Sequence, residues 1–210
     1  MLYRLWKVCV AALATMATAA SGHGYLAVPA ARNVQHNSDY CPQCLNAGGP
    51  WTVYSRGHPA RYGACGDPWN GPKHHERGGK YATPVRVAAR YRAGQTFTAR
   101  VVLTANHYGR WSLRLCPDAS RAVYGTTCFK HLLARADGKG PYVPVLGSRN
   151  AYSVRFRLPR GVRCKNCVMR WYYETGNSCS PPGMNRPGLD SCARSTNGEI
   201  FMNCADVSIA

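Results

Sequence analysis

Cutting the chain between Gly22 and His23 would create a residue with two nitrogen donors. These are an α-amine with a pKa of about 8 and an imidazole of about 6.5. Together they can close a chelate ring on one metal ion. A second imidazole would complete three nitrogens in a T-shaped plane. Copper(II) favours tetragonal nitrogen ligation and stands at the top of the divalent affinity order, so it is the metal such a set would take. Of the remaining histidines, His107 has the best setting. Leu103-Thr-Ala-Asn-His-Tyr-Gly109 reads as a strand end running into a tight turn, a rigid platform for a ligand. His74 and His75 are adjacent in a basic loop and point in different directions, while His36, His58 and His131 fall in or beside loops. A lone histidine at a strand end is commonplace, and so is one at an N-terminus; a cleavage that lands on His23 is what sets this pair apart.

That cleavage is itself an expectation from the first 22 residues. Arg4 and Lys7 give a short positive start, Val8 to Ala20 an apolar run, and Ala20-Ser21-Gly22 small residues of the kind a signal peptidase reads. The run is shorter than the roughly 20 apolar residues of a membrane span. Residues 1–22 are therefore read as a signal peptide and residues 23–210 as one domain, secreted, extracellular, without a membrane anchor and monomeric. Cysteine usage agrees with export. Cys9 lies in the leader, and the other ten of the 11 are an even set for up to five disulfides, with Cys116 and Cys128 a plausible short-loop pair. Cys41-Pro-Gln-Cys44 and Cys164-Lys-Asn-Cys167 also have zinc half-site spacing, a reading that an exporting leader disfavours.

The chain is strongly basic, with 27 Lys and Arg against 9 Asp and Glu, a net charge of +18. Such a surface draws anionic partners, including acidic glycans. The cations are scattered, as in Arg86, Arg90, Arg92, Arg100, Arg110 and Arg114, and no nucleic-acid-binding motif is present, so nucleic acid is excluded as the expected partner. A glycoside hydrolase would need two carboxylates about 5 to 9 Å apart. The few acids, spread along the chain, suggest no such pair.

The elements that would carry these residues are strands. Val85–Tyr91, Phe97–Thr104, Trp111–Cys116, Tyr152–Leu158, Cys167–Tyr173 and Asn203–Ile209 alternate or are rich in branched and aromatic residues, with Gly and Pro turns between them. Tyr152, Val154, Phe156 and Leu158 share one face, with Ser153, Arg155 and Arg157 on the other. The pattern implies an all-β fold, an antiparallel sandwich of the immunoglobulin-like or fibronectin III-like kind. Two long irregular stretches, roughly Pro29–Ala82 and Gly176–Glu199, would be held by disulfides.

At this point a resemblance becomes specific. His23-Gly-Tyr-Leu26 followed by Pro29-Ala-Ala-Arg-Asn33 resembles the start of mature lytic polysaccharide monooxygenases, most of all auxiliary activity family 15. Cys65-Gly-Asp67, Gly78-Gly-Lys-Tyr81, Leu103–Gly109, Leu115-Cys-Pro117, the Cys164-X-X-Cys167 to Trp171 segment with Thr175-Gly-Asn177, and Phe201-Met-Asn-Cys-Ala-Asp206 follow in family order. The resemblance implies a sandwich with a surface histidine brace for one copper ion, using the amine and side chain of His23 and the side chain of His107. It places Phe201 at the axial aromatic position, often Tyr in relatives, and Ala105 as a small residue beside the metal. The implied activity is oxidative cleavage of chitin or cellulose at C1 or C4, using an external electron donor and hydrogen peroxide or dioxygen. The alternative is a secreted protein that binds copper or polysaccharide without turnover, and a third reading is a cationic protein that binds anionic glycans.

The chain departs from the family pattern in two places. Arg170 stands before Trp171 and Tyr172 where relatives often carry Gln. Beside copper a cation there would raise the reduction potential; otherwise Arg170 would pair with Glu174 or face solvent. Ser178-Cys-Ser-Pro-Pro-Gly183 lacks the Trp often found after the Gly-Asn pair. For substrate contact the aromatic candidates are Tyr25, Tyr40, Trp51, Tyr54 and Tyr108, which can stack on sugar rings or fill gaps under loops. Trp171, Tyr172 and Tyr173 could pass electrons away from a stalled oxidant, but read first as strand core.

Overall fold

The computed structural model describes residues 23–35, 41–54, 61–125, 127–192 and 198–210. The expected leader, Tyr40, His36 and His58 lie outside them. Ten strands form two packed sheets, as the alternation predicts. One sheet holds β1 (His23–Val28), β3 (Thr96–Ala105), β8 (Ala151–Arg157) and the two-residue β6 (Ala134–Arg135), in the order β1-β3-β8-β6. The other runs β2 (Val87–Tyr91), β10 (Ile200–Ile209), β9 (Cys164–Glu174), β4 (Arg110–Cys116) and β5 (His131–Leu132), with the short β7 (Val143–Pro144) also paired to β4. Among the described residues these strands pair antiparallel, except β2 with β10, which is parallel at the sheet edge. The sequence gives no sign of that, because alternation looks the same in either direction.

Period two explains the core. Phe97, Ala99, Val101 and Leu103 of β3 and Tyr152 and Phe156 of β8 are buried against Met169, Trp171 and Tyr173 of β9 and Phe201, Ala205 and Val207 of β10. β9 and β10 are buried on their outer faces too, where Val168, Arg170, Met202, Cys204 and Asp206 lie. A strand hidden on both sides needs a second cover. Here it is the irregular segment between β1 and β2, whose described residues include one helical turn, Pro50–Val53.

Covalent and ionic ties hold this cover down. The disulfide Cys65–Cys204 joins it to β10 across a separation of 139 residues. Arg32 grips Asp206 of β10 with two hydrogen bonds of 2.7 Å and donates to the His75 carbonyl. Asp67 in turn accepts from the His75 backbone at 2.8 Å and lies 2.8 Å from its ring Nδ1. A buried guanidinium with a two-point carboxylate partner is satisfied in charge and geometry. The other disulfides are Cys41–Cys44, Cys116–Cys128, Cys164–Cys167 and Cys179–Cys192, so all ten cysteines after the leader are bridged and none is left for zinc.

Candidate metal centre

β1 brings His23 to the rim of the sandwich. The sequence offered no strand there, since His-Gly-Tyr-Leu-Ala-Val lacks clean alternation. The strand forms because β3 supplies a partner ladder and because Asn203 of β10, fully buried, accepts the Leu26 N–H at 2.8 Å. Gly24 makes the approach possible. A Cβ there would sit 2.6 Å from Leu103 Cδ2 and 3.0 Å from the Val102 carbonyl oxygen. His23 consequently lies opposite Ala105, two residues before His107.

The chain turns sharply after His107. Tyr108 has φ +54° and Gly109 φ +89°, two left-handed residues in succession, the first unusual for a residue with a side chain. The turn is held by several bonds. Asn106 Oδ1 accepts the Tyr108 N–H at 2.9 Å, Tyr173 Oη donates to the Tyr108 carbonyl at 2.6 Å, and the same hydroxyl accepts the His107 N–H at 3.2 Å. Gly109 admits no side chain, because a Cβ would fall 2.0 Å from the Glu174 carbonyl oxygen. His107 is 92% removed from solvent and its backbone is tied on both sides, with Gly176 donating to its carbonyl at 2.8 Å.

The hydrogen-bond partners fix the state of its ring. Nδ1 lies 2.9 Å from the Asn177 carboxamide, whose other end lies 2.9 Å from Thr175 Oγ1; that hydroxyl is also 3.0 Å from the Glu199 carbonyl oxygen. The hydroxyl owns one proton, and a carbonyl can only accept, so the proton goes to Glu199. Thr175 Oγ1 then needs a donor, which only the NH2 end of Asn177 provides; the two ends of a carboxamide are told apart by this counting. The structure sets Nδ2 toward His107 and Oδ1 toward Thr175; turning the carboxamide over, so that Oδ1 accepts His107 Nδ1–H, gives every one of these contacts a proton. The lone pair is left on Nε2, directed away from Asn177. Burial, then the charges of His23 and Arg186, hold the His107 pKa below its ordinary 6.5, so the imidazole is neutral and able to ligate.

Around His23 lie an aromatic ring and one acid. Phe201, fully buried, stands with its ring centroid 5.7 Å from that of His23 and 6.1 Å from that of Tyr173, and carries no ligating atom. Glu199, whose carboxyl burial pushes up, feels the charge of His23 and receives a 2.8 Å hydrogen bond from Asn46 Nδ2. Among the described residues no three His, Cys, Asp or Glu side chains are grouped to hold a metal. A metal held by His23 and His107 would need a further donor outside these side-chain types.

The other sequence candidates divide. Tyr108 is 37% exposed with Arg186 stacked 3.8 Å over its ring, Tyr25 is half-buried beside His23, and Trp51 is 92% exposed on the single helical turn. Tyr54 packs beside the cluster of Ala47, Val53, Ile200 and Met202, where burial raises its pKa to about 12. It supports the loop. Arg170 and Glu174 are not beside His23 and His107. Side chains alternate along β9, so Trp171 and Tyr173 enter the core while Arg170, Tyr172 and Glu174 take the outer face. Arg170 is buried there rather than solvent-facing, and Glu174 pairs with Arg110 at 2.6 Å instead. Asn177, Thr175, Glu199 and Arg186 were given no part in the site by the sequence, and Tyr173 only one in carrying electrons. The Thr175-Gly-Asn177 motif was visible, but its role depends on β9 ending against the His107 turn.

Residues 23–207 match the family model described as lytic polysaccharide mono-oxygenase, cellulose-degrading. Among solved structures, the chain is similar to a lytic polysaccharide monooxygenase of auxiliary activity family 15 from Thermobia domestica, in the Cu(I) state. The identity is 32%, the TM-score 0.75, and the coverage 90% of this chain and 99% of that one. A chitin-binding domain from Burkholderia pseudomallei, covering 90% and 100%, and the cellulose-active monooxygenase CelS2 with copper, covering 89% and 98%, share 13% identity each, with TM-scores of 0.45 and 0.41. No curated protein matches.

Proposed function

Because this chain belongs to the lytic polysaccharide mono-oxygenase family, we propose that it is exported, begins at His23 once processed, and holds one copper ion for oxidative attack on a polysaccharide. The α-amine and ring of His23 and Nε2 of His107 are the three ligands. The observation that carries this reading is the hydrogen-bond chain from Thr175 through Asn177 to His107 Nδ1, which, with the carboxamide turned as argued above, leaves the lone pair on Nε2 of a ring whose protonation His23 opposes. When bound, copper supplies one-electron chemistry with an external reductant and dioxygen or hydrogen peroxide.

The protein's part is placement. Asn177 fixes the His107 tautomer and Tyr173 the backbone beneath it. Phe201 closes one side of the site with hydrocarbon and adds no ligand, while Ala105, opposite His23, limits access there. Tyr25, Tyr108 and the exposed Trp51 offer ring faces for sugar stacking on an open surface, the shape a polymer surface requires. Chitin and cellulose are the substrates to try first. The test is incubation of the copper-loaded mature chain, as monomer, with ascorbate and β-chitin or cellulose. Oxidised oligosaccharides are expected from at least one polymer. Their absence across a panel, with copper bound, would favour a binding protein without turnover.

A further inference from the structure

On the outer face of the second sheet, three arginines converge. In the register of β4 with β9, Arg110 faces Glu174, Ser112 faces Tyr172, and Arg114 faces Arg170. The first pair is an ion pair. The last is two like charges directly opposite, an arrangement that destabilises a sheet unless something lies between them. Arg170 is 92% removed from solvent, and its Nε has no hydrogen-bond partner. Its one hydrogen bond among the described residues is a 3.4 Å contact from a terminal nitrogen to the Ala64 carbonyl. Its guanidinium lies 4.1 Å from the Phe129 ring centroid and 5.8 Å from that of Tyr62, contacts that shield the charge without cancelling it.

No carboxylate among the described residues bonds to Arg170 or Arg114. Glu174 is taken by Arg110, Asp206 by Arg32, and Glu76 by the amides of Ala64 and Tyr124 at 2.7 Å each. The charged groups acting on Glu76 are Asp67 and Lys73, not Arg170. A cavity of about 310 Å³ opens over this face, lined by Arg110, Arg114, Arg170 and Glu174 with the phenols of Tyr62 and Tyr172. A buried cation without a counter-charge costs several kcal/mol unless an anion joins it.

We propose that this groove binds a small oxyanion, held between Arg170 and Arg114, with phosphate, sulfate and the carboxylate of a sugar acid sharing the required chemistry. Guanidinium is suited to that task by its planar fork of donors. The site stands on the opposite face of β9 from Trp171 and Tyr173, so it requires nothing of the metal centre.

Thermal unfolding of the mature chain tests it, with phosphate, sulfate or glucuronate titrated against chloride at equal ionic strength. A saturable rise in midpoint is expected with phosphate or sulfate, about 5 to 10 °C at a hundredfold excess over Kd, and none with chloride. Arg170→Gln should abolish the saturable rise and, by removing the uncompensated charge, unfold no earlier than the parent without anion. Arg114→Gln, at the more open position, should weaken binding about tenfold and keeps the test valid should the first variant misfold. Glucuronate acting at lower concentration than sulfate would identify an acidic sugar as the ligand; the reverse order would identify the free ion. A rise that never saturates, or that both variants retain in full, is a general salt effect and would overturn the proposal.

Discussion

The molecule has two nitrogen-rich regions on opposite faces of β9, and they are tuned toward opposite ligands. At the rim, His23 and His107 offer ring nitrogens, and every neighbour of His107 works to keep it uncharged: burial, the nearby His23, and Arg186 over Tyr108. On the outer face, Arg110 has Glu174 as its partner, while Arg114 and Arg170 offer guanidiniums that cannot lose their protons, so the buried Arg170 stays charged and without a carboxylate among the described residues. On the two proposals above, nitrogen would serve a metal where it can be neutral and an anion where it cannot. The difference lies in which residue type the strand register delivers.

The largest effect should separate the two regions outright. His107→Ala should lower copper(II) affinity at least about 100-fold by calorimetry and leave the phosphate response intact, since a direct ligand matters no less than its outer partners. Loss of both together would mean that the substitution had disturbed the sheet. Next comes Asn177→Leu, which removes the acceptor from His107 Nδ1–H and should cost about tenfold in copper affinity; Asn177→Asp keeps that acceptor and should bind nearly as the parent. Equal behaviour of the two variants would contradict the tautomer argument. Trp51→Ala should weaken binding to insoluble polysaccharide about three- to tenfold, in line with one lost ring contact, without moving the unfolding midpoint. The smallest effect is protonic. In the metal-free protein, the NMR titration of His107 should have its midpoint below 6.5. Because the folded state then binds fewer protons than the unfolded chain, stability from this group is full above 6.5 and falls as pH drops toward the folded midpoint.

Much of this was legible beforehand, for reasons that differ by region. Period-two alternation marked β3, β8 and the core face of β9, because one buried face is all that such strands require. β1 was not marked, since its pairing depends on Gly24 fitting against Leu103 and on Asn203 reaching Leu26. Cys116–Cys128 could be guessed from its short loop, whereas Cys65–Cys204 depends on a cover folding over β10. That same cover misled the reading of Arg170. A charge on a strand is expected beside the metal, at Glu174 or in water, and nothing in a linear pattern says that residues 61–64 and Phe129 will bury it. His107 was chosen for its strand-end turn, but Asn177, which orients it, lies 70 residues on and only the fold joins them.

One measurement bears most directly on the three-nitrogen site: the EPR spectrum of one equivalent of copper(II) on the mature chain beginning at His23, beside the same chain carrying one extra glycine before it. The account predicts a spectrum of three coupled nitrogens for the first and the loss of one, with much weaker binding, for the second. Identical spectra and affinities from the two chains would show that the amine of His23 is not a ligand.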